Sequence, residues 1–285
     1  MGIRLLNYRN EYGIICIKFG GNWEDGMKIG AYQFAVSGSV ERNYSVVRQA
    51  ILLAAEKEIQ LIVFPECALT GYPPRDIVSS SAVAWNTLND VYDQLQSIVD
   101  RCGVHVIIGS IIEDKEQYYN CALHFAPGKD KQAYYKRALW GWDAENFNER
   151  KSKGIFDVFG WKIGVRICYE IRFPEYFREL YYENTDLNVI LFYDVSDEND
   201  EERYGLIDSH IRTRAVENVT HTLTVNAIAP YQTAPTILYD RSGRVLCENT
   251  RNEEGLLVYE LTKEALDYGE QGRKRISDRL MKGQA

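Results

Sequence analysis

The chain alternates short apolar segments with amphipathic helical segments, and the same order of segments occurs twice. Each half predicts a strand, a helix, a strand, a helix and then two further strands. Apolar strands must be shielded from water, and the apolar face of each amphipathic helix can pack against them. The two halves therefore predict two sheets packed face to face with helices outside, a layered α/β sandwich with two pseudo-repeated halves.

The boundaries of the predicted elements follow from apolar spacing and from residues that begin or end an element. Ser39 is placed to cap the first helix, and Pro65 ends the strand that starts at Leu61. The first half is predicted to contain strand 28–35, helix 40–57, strand 61–66, helix 82–102 and a hairpin of 104–112 with 118–126. The second half is predicted to contain strand 161–168, helix 175–183, strand 187–193, helix 205–218 and strands 221–227 and 235–240.

Residues 1–27 lack this regular spacing and contain Gly and Asn, so we expect an N-terminal extension outside the core. No low-complexity linker divides the rest, and residues 28–285 are predicted to form one domain. The polar, acidic segment 194–203 is expected to be an exposed loop.

The charge pattern argues against nucleic acid as a partner. The formal net charge is −8, and Lys and Arg are scattered rather than gathered on one stripe. The N-terminus does not combine a basic region with an apolar stretch as a secretory signal does, and no run approaches the ~20 apolar residues that span a bilayer. We therefore expect a cytoplasmic protein with no membrane partner.

The cysteines give the same indication of compartment. There is no C-x-x-C pair and no Cys/His cluster at the spacing of metal ligands, which favours a reducing environment and predicts no metal site. The six cysteines are Cys16, Cys67, Cys102, Cys121, Cys168 and Cys247.

Three residues that could carry chemistry each follow directly on an apolar or aromatic run. Glu66 follows LIVFP, Lys136 follows AYY, and Cys168 follows WKIGVRI. A residue at the junction of a strand and a loop is well placed for catalysis, because the strand holds it and the loop exposes it.

Cys168 stands out from the other cysteines, which we interpret as small buried apolar residues. In GVRICYEIRFPE a strand ends at Cys168, and Pro174 with Glu175 opens a helix, so the thiol is predicted to lie on a sharp strand-to-helix turn. A thiol with an ordinary pKa near 8.5 is only a few per cent ionised at pH 7, and a base or a cation is needed beside it.

The four histidines lie within apolar or helical patterns and are predicted to be structural: His105, His124, His210 and His221. The base would then be Glu66, whose pKa burial would raise towards a useful range. Lys136 would be the cation that holds a developing oxyanion. The alternatives are a Glu66 that only leaves the core and a Lys136 that packs its chain past tyrosines.

Together, LIVFPECALTGYPP, YYKRALW and GVRICYEIRFPE resemble the three signature segments of the nitrilase superfamily of carbon–nitrogen hydrolases. The segment IRTRAVENVTHTLTVNA resembles a helix and strand of the same family, and TILYDRSGRVL resembles its late hairpin. The similarity extends from about Lys28 to Glu260.

The resemblance implies a four-layer αββα subunit that assembles into a homodimer or a higher homo-oligomer, with no metal and no organic cofactor. It implies that Cys168 is the nucleophile of an acyl-enzyme, Glu66 the general base and Lys136 the stabiliser of the oxyanion, with the backbone N–H of Tyr169 as second donor. The family's second glutamate corresponds to Glu149, with Glu145 as the substitute.

The resemblance implies hydrolysis of a small amide or N-carbamoyl compound. The alternatives are nitrile hydrolysis, glutamine-type deamidation for a partner synthetase, and a catalytically silent scaffold of the same fold. Acidic residues in FYDVSDENDEERYG, such as Asp194 or Asp197, raise the further hypothesis that the substrate has a cationic end.

Overall fold

Two six-stranded sheets lie at the centre of the computed structural model, which describes residues 26–283. Residues 1–25 of the predicted extension lie outside the described residues. The first strand starts at Gly26, two residues before the predicted boundary.

The fourteen strands within residues 26–283 are β1 (Gly26–Gln33), β2 (Leu61–Val63), β3 (His105–Asp114), β4 (Gln117–Phe125), β5 (Gln132–Tyr135), β6 (Ile155–Val158), β7 (Trp161–Ile167), β8 (Leu187–Phe192), β9 (Val195–Ser196), β10 (His221–Asn226), β11 (Tyr231–Gln232), β12 (Ile237–Tyr239), β13 (Val245–Glu248) and β14 (Gly255–Thr262). The six α-helices of this region are α1 (Val40–Glu56), α2 (Trp85–Cys102), α3 (Trp142–Asn146), α4 (Pro174–Tyr182), α5 (Glu201–Asn218) and α6 (Tyr268–Met281).

The two sheets have matching topology. The first has the order β14-β1-β2-β3-β4-β5, and the second has the order β13-β12-β10-β8-β7-β6. In the first sheet β1, β2 and β3 are parallel, and in the second β7, β8 and β10 are parallel. Antiparallel strands flank both trios. The prediction of two pseudo-repeated halves is confirmed.

Three apolar clusters separate the four layers. Val63 of β2 and Val189 of β8 belong to the cluster between the sheets. Ile62 of β2 faces the other way, into the cluster under α1 and α2, and Ile190 of β8 belongs to the cluster under α4 and α5. A strand with both faces buried is apolar at every position, which explains why these segments do not alternate. The αββα sandwich is confirmed.

Caps set the helix boundaries. The Ser39 hydroxyl accepts from Arg42 N at 3.2 Å, as predicted for the start of α1. The start of α5 was predicted at 205, but Asp200 accepts from Arg203 N at 2.8 Å and begins the helix at Glu201. Acidic side chains suit a helix N-terminus, so part of the predicted acidic loop is the first turn of α5.

The last strand of the described chain pairs with the first. Strand β14 pairs antiparallel with β1 along its full length, from Gly26 opposite Thr262 to Gln33 opposite Gly255. This pairing completes the first sheet with a segment far away in sequence. Within residues 26–283, no helix combines the length and apolar character needed to cross a membrane.

Candidate active site

Three strand ends bring Glu66, Lys136 and Cys168 to one region of the molecule. Glu66 follows β2 at the centre of the first sheet, and Lys136 follows β5 at its edge. Cys168 follows β7 in the facing sheet. Lys136 and Cys168 line the same cavity, and Lys136 contacts Glu66 directly.

Glu66 is completely buried and bonded on both carboxylate oxygens. Its Oε1 accepts from Lys136 Nζ at 2.7 Å and from Asn120 Nδ2 at 2.7 Å, and its Oε2 accepts from Tyr193 N at 2.9 Å. Burial raises the pKa of Glu66, although the Lys136 ammonium opposes that change. The result is a carboxyl group that is fixed by three hydrogen bonds and takes up a proton more readily than an exposed glutamate.

Gly109 of β3 lets the backbone before Glu66 approach the sheet closely. A Cβ atom at this position would lie 2.3 Å from Pro65 O and 2.5 Å from Glu66 Cα. These are backbone atoms and cannot move aside cheaply, so a side chain here would displace Glu66.

Lys136 lies between two carboxylates. Its Nζ donates to Glu66 Oε1 at 2.7 Å and to Asp143 Oδ2 at 2.6 Å, and its side chain is 1% exposed. Burial by itself would lower the pKa of Lys136, but Asp143 and Glu66 outweigh it and hold the pKa well above its usual range. Lys136 is therefore a permanent cation.

Cys168 begins a tight turn over residues 168–172 that leads into α4, as the sequence predicted. Its φ of +44° is in the left-handed region, which costs about 1–3 kcal/mol for a residue other than glycine. Burial raises the pKa of the Cys168 thiol well above its usual range, the Glu66 carboxylate adds to the effect, and Lys136 opposes it. The resting group is a neutral thiol that needs a base when it attacks.

The cavity at Cys168 has a volume of about 450 Å³. Tyr72 and Tyr193 stack in its wall with ring centroids 4.9 Å apart. Trp140 and Trp142 also line it and are 73% and 51% exposed, so they lie towards solvent. This size and mixed lining suit a small organic molecule.

The second acidic residue beside Lys136 is Asp143, and neither Glu149 nor Glu145 takes that place. Both glutamates are exposed, whereas Asp143 is buried and also accepts from Tyr72 OH at 2.8 Å through Oδ1. Asp143 lies in the short helix α3, which folds the chain back onto Lys136. The sequence resemblance implied a glutamate at this place, and the signal for Asp143 was its position as an acidic residue three residues after YYKRALW.

The two aspartates proposed to bind a cationic substrate already have cationic partners. Asp194 lines the cavity and accepts from Arg203 Nε at 2.8 Å, from Arg203 Nη2 at 2.9 Å and from the Thr233 hydroxyl. Asp197 is 82% exposed and pairs with Arg75 Nη2 at 2.5 Å. Each of these carboxylates is thus paired with an arginine.

Tyr169 lines the cavity beside Cys168, and its ring packs edge-on against Phe173.

His105 and His124 are buried, and Nδ1 of His105 lies 2.9 Å from Nε2 of His124. Burial lowers their pKa values to about 3 and about 4.

Among residues 26–283, no group of three or more His, Cys, Asp or Glu side chains is arranged to hold a metal ion.

Comparison with known proteins places the chain in a family. Residues 28–267 match the family model described as carbon-nitrogen hydrolase. The 2-oxoglutaramate amidase of Bacillus subtilis (strain 168) is 27% identical over 213 residues, which cover 72% of this chain and 79% of that protein. The omega-amidase NIT2-B of Xenopus laevis is 28% identical over 159 residues, or 52% of this chain and 56% of the amidase. The chain thus spans little more than half the length of that relative.

A solved amidase from Nesterenkonia sp. has the same fold, with a TM-score of 0.72 and 22% identity over 90% of this chain and 97% of the amidase. Variants of that amidase have been solved in complex with acrylamide and with butyramide. The chain belongs to the carbon–nitrogen hydrolase family, and the resemblance seen in the sequence is confirmed.

Proposed function

We propose that this protein hydrolyses small amides, with Cys168 as nucleophile, Glu66 as proton acceptor and Lys136 as stabiliser of the oxyanion. The observation that carries the proposal is the contact between Lys136 Nζ and Glu66 Oε1 at 2.7 Å, because Lys136 lines the same cavity as Cys168. Acyl transfer needs a thiol, a cation and a proton acceptor; here the thiol and the cation line one cavity, and the cation is bonded to a carboxyl group of raised pKa.

The reaction would begin with attack of the Cys168 sulfur on the amide carbon while the thiol proton moves to Glu66. The negative charge on the substrate oxygen would be stabilised by the Lys136 ammonium and the Tyr169 N–H. The tetrahedral intermediate then breaks its carbon–nitrogen bond, and the nitrogen leaves as ammonia or an amine with the proton from Glu66. A thioester at Cys168 remains.

Water would complete the cycle. Glu66 removes a proton from the water as its oxygen attacks the thioester carbon, and the carbon–sulfur bond breaks to release a carboxylic acid. The Cys168 sulfur recovers its proton from Glu66. The same glutamate thus acts twice, as base and then as acid in each half of the reaction.

Asp143 would keep Lys136 charged and aimed at the cavity. Lys136 pairs with Glu66, and protonation of Glu66 during the reaction weakens that pair. The second carboxylate at 2.6 Å then holds the ammonium in place, and the Tyr72 hydroxyl in turn orients Asp143.

The charge of the cavity wall supports an amide that also bears a carboxylate. Arg172 lines the cavity, is half-buried and has no ion pair with any residue of the described chain, whereas Arg75 and Arg203 are paired. An uncompensated guanidinium favours an anion. The named substrate of the relative from Bacillus subtilis, 2-oxoglutaramate, carries both an amide and a carboxylate. This charge opposes the hypothesis of a cationic substrate.

The assembly and compartment predicted from the sequence are part of the proposal. Helices α4 and α6 expose three large apolar side chains, Tyr182 at 60%, Ile276 at 54% and Leu280 at 58%. A homodimer that buried them would remove this apolar surface from water, which supports the predicted assembly. Cys67, Cys121 and Cys247 are free thiols, as suits the cytoplasm. Light scattering would measure the mass, and a monomer at micromolar concentration would contradict the dimer.

The proposal is tested with purified protein and four amides, namely butyramide, the monoamides of succinic and glutaric acid, and an amino-substituted amide. Released ammonia reports turnover, and intact-protein mass spectrometry after rapid quenching reports an acyl adduct. The adduct is expected at Cys168 and is lost in Cys168→Ala, while Cys247→Ala, which changes a half-buried thiol elsewhere, keeps it. Turnover that survives in Cys168→Ala would contradict the assignment.

A further inference from the structure

Glu170 is a buried carboxylate that the proposed reaction does not use directly. It lies two residues after Cys168, and its exposed fraction is 0%. Its Oε1 accepts from Tyr134 OH at 2.7 Å and from Arg137 N at 2.9 Å, and its Oε2 accepts from Ile167 N at 2.7 Å. A buried carboxylate with three donors and no direct ion pair among the described residues is held entirely by hydrogen bonds.

The donors belong to the two chain segments that deliver the reactive groups. Arg137 is the residue directly after Lys136, and Ile167 is the residue directly before Cys168. One oxygen of Glu170 therefore bonds the backbone beside the ammonium, and the other bonds the backbone beside the thiol. The first segment belongs to one sheet and the second to the other.

The surroundings keep the Glu170 carboxylate from moving. Tyr134, one of its donors, has the guanidinium of Arg166 over its ring at 5.1 Å. Arg166 is completely buried and donates to the carbonyls of Val165 at 2.7 Å and Tyr176 at 2.9 Å. These bonds tie β7 to α4 and fix the ring that positions Glu170. A buried polar network with its bonds satisfied is rigid.

The Cys168 turn needs such a support. The φ of +44° at Cys168 is an uncommon conformation that persists only where neighbouring contacts impose it. The bond from Ile167 N to Glu170 Oε2 closes the backbone around this residue from the residue before it to the second residue after it. The same side chain thus fixes the turn and links it to the Lys136 segment.

We infer that Glu170 is a positioning residue that sets the distance and orientation of the Lys136 ammonium relative to the Cys168 sulfur. The inference rests on the proposed function, because it assigns Glu170 a part in the chemistry of the same two groups. Catalytic groups lose effect when they are displaced by about 1 Å, so a bridge between their backbones controls the rate without contact with the substrate.

The test compares Glu170→Gln with wild type in two assays. Gln has nearly the same shape, but its NH2 group turns a donor towards one of the three donors that now meet the carboxylate. We expect kcat to fall about 10–100-fold with KM within about threefold, as is typical when a group that orients a catalytic residue is lost. We also expect the rate of Cys168 alkylation by iodoacetamide, followed by peptide mass spectrometry, to fall about tenfold or more.

Three further variants separate positioning from stability. Glu175→Gln is the control, since Glu175 is exposed in the first turn of α4, and it is expected to keep both rates. Glu170→Asp keeps both acceptor oxygens on a shorter side chain and is expected to recover part of kcat. Tyr134→Phe removes one donor but leaves both backbone bonds, so it is expected to lower the melting temperature and change kcat by less than about fivefold.

Two outcomes would overturn the inference. One is a Glu170→Gln protein that is folded and retains both rates of the wild type. The other is a loss of both rates only in proportion to the unfolded fraction. If Glu170→Gln does not fold, Glu170→Asp decides. A partial loss of both rates in a protein that keeps the wild-type melting temperature would support the inference, and a loss only in proportion to the unfolded fraction would contradict it. The proposed function would instead be contradicted if the wild-type protein neither turned over amides nor was alkylated selectively at Cys168 by iodoacetamide.

Discussion

The ammonium of Lys136 lies 2.7 Å from Oε1 of Glu66, and both side chains are at most 1% exposed. Asp143 meets the same ammonium at 2.6 Å, so one buried cation serves two buried carboxylates. Since at most one of the two negative charges is compensated, the cluster strongly resists the loss of its cation. This asymmetry leads to the first two predictions.

Replacement of Lys136 by Met should affect both activity and folding. Loss of the oxyanion stabiliser is expected to lower kcat about 10²–10³-fold. Two carboxylates left buried without a cation should destabilise the fold by about 3–5 kcal/mol. Amide turnover and urea unfolding measure the two effects. Lys151→Met, at an exposed lysine, is the control and should change neither; a fully active Lys136→Met enzyme would contradict the assigned role.

Replacement of Asp143 by Asn should lower kcat about 10–100-fold, because the carboxylate that holds Lys136 is lost while the shape of the side chain is kept. Glu149→Gln and Glu145→Gln change exposed residues and are expected to retain wild-type kcat. Steady-state kinetics of the three variants shows which of the three acidic residues supports Lys136. A large loss in Glu149→Gln with none in Asp143→Asn would restore the assignment made from the sequence.

Replacement of Arg172 by Gln should discriminate between substrates by charge. KM for a monoamide that bears a carboxylate is expected to rise about tenfold or more, since a charge-assisted hydrogen bond is lost, while KM for butyramide changes little. Arg244→Gln, at an exposed arginine outside the cavity, is the control. An equal rise for both amides would mean that Arg172 shapes the cavity without reading the charge of the substrate.

The His105 and His124 pair should make the protein less stable in acid. Burial keeps both imidazoles neutral in the folded state, with pKa values of about 3 and about 4, whereas the unfolded histidines take up protons below about 6.5. Stability from the pair is therefore present above pH 6.5 and falls as the pH drops towards 4. Each histidine contributes a slope of up to about 1.4 kcal/mol per pH unit.

Urea unfolding of wild type and His105→Gln at pH 7 and pH 5 measures that slope. The variant has one such histidine fewer, so its loss of stability between the two pH values is expected to be smaller. Carboxylates elsewhere contribute equally to both proteins and cancel in the comparison. Equal losses in both proteins would show that His105 takes up its proton in the folded state as readily as in the unfolded chain.

The repeated order of apolar and amphipathic segments was sufficient to predict the architecture. Strands such as β2 and β8 are apolar at every position because both faces are buried, and that property is visible in sequence. The strand ends at Glu66 and Cys168 were visible for the same reason. The pairing of β14 with β1 was not predictable from spacing, because it joins segments from opposite ends of the described chain.

What the sequence alone determined was the layered fold, the family and the three residues that end apolar runs, since periodicity and local motifs are properties of neighbouring residues. What only the tertiary structure decided was the partner of each charge. Asp143, and neither Glu149 nor Glu145, meets Lys136, and Arg203 occupies Asp194. Such pairings depend on how loops fold back across two sheets. A buried charge is tolerated only where an opposite charge lies beside it, because burial removes the water that would otherwise solvate it.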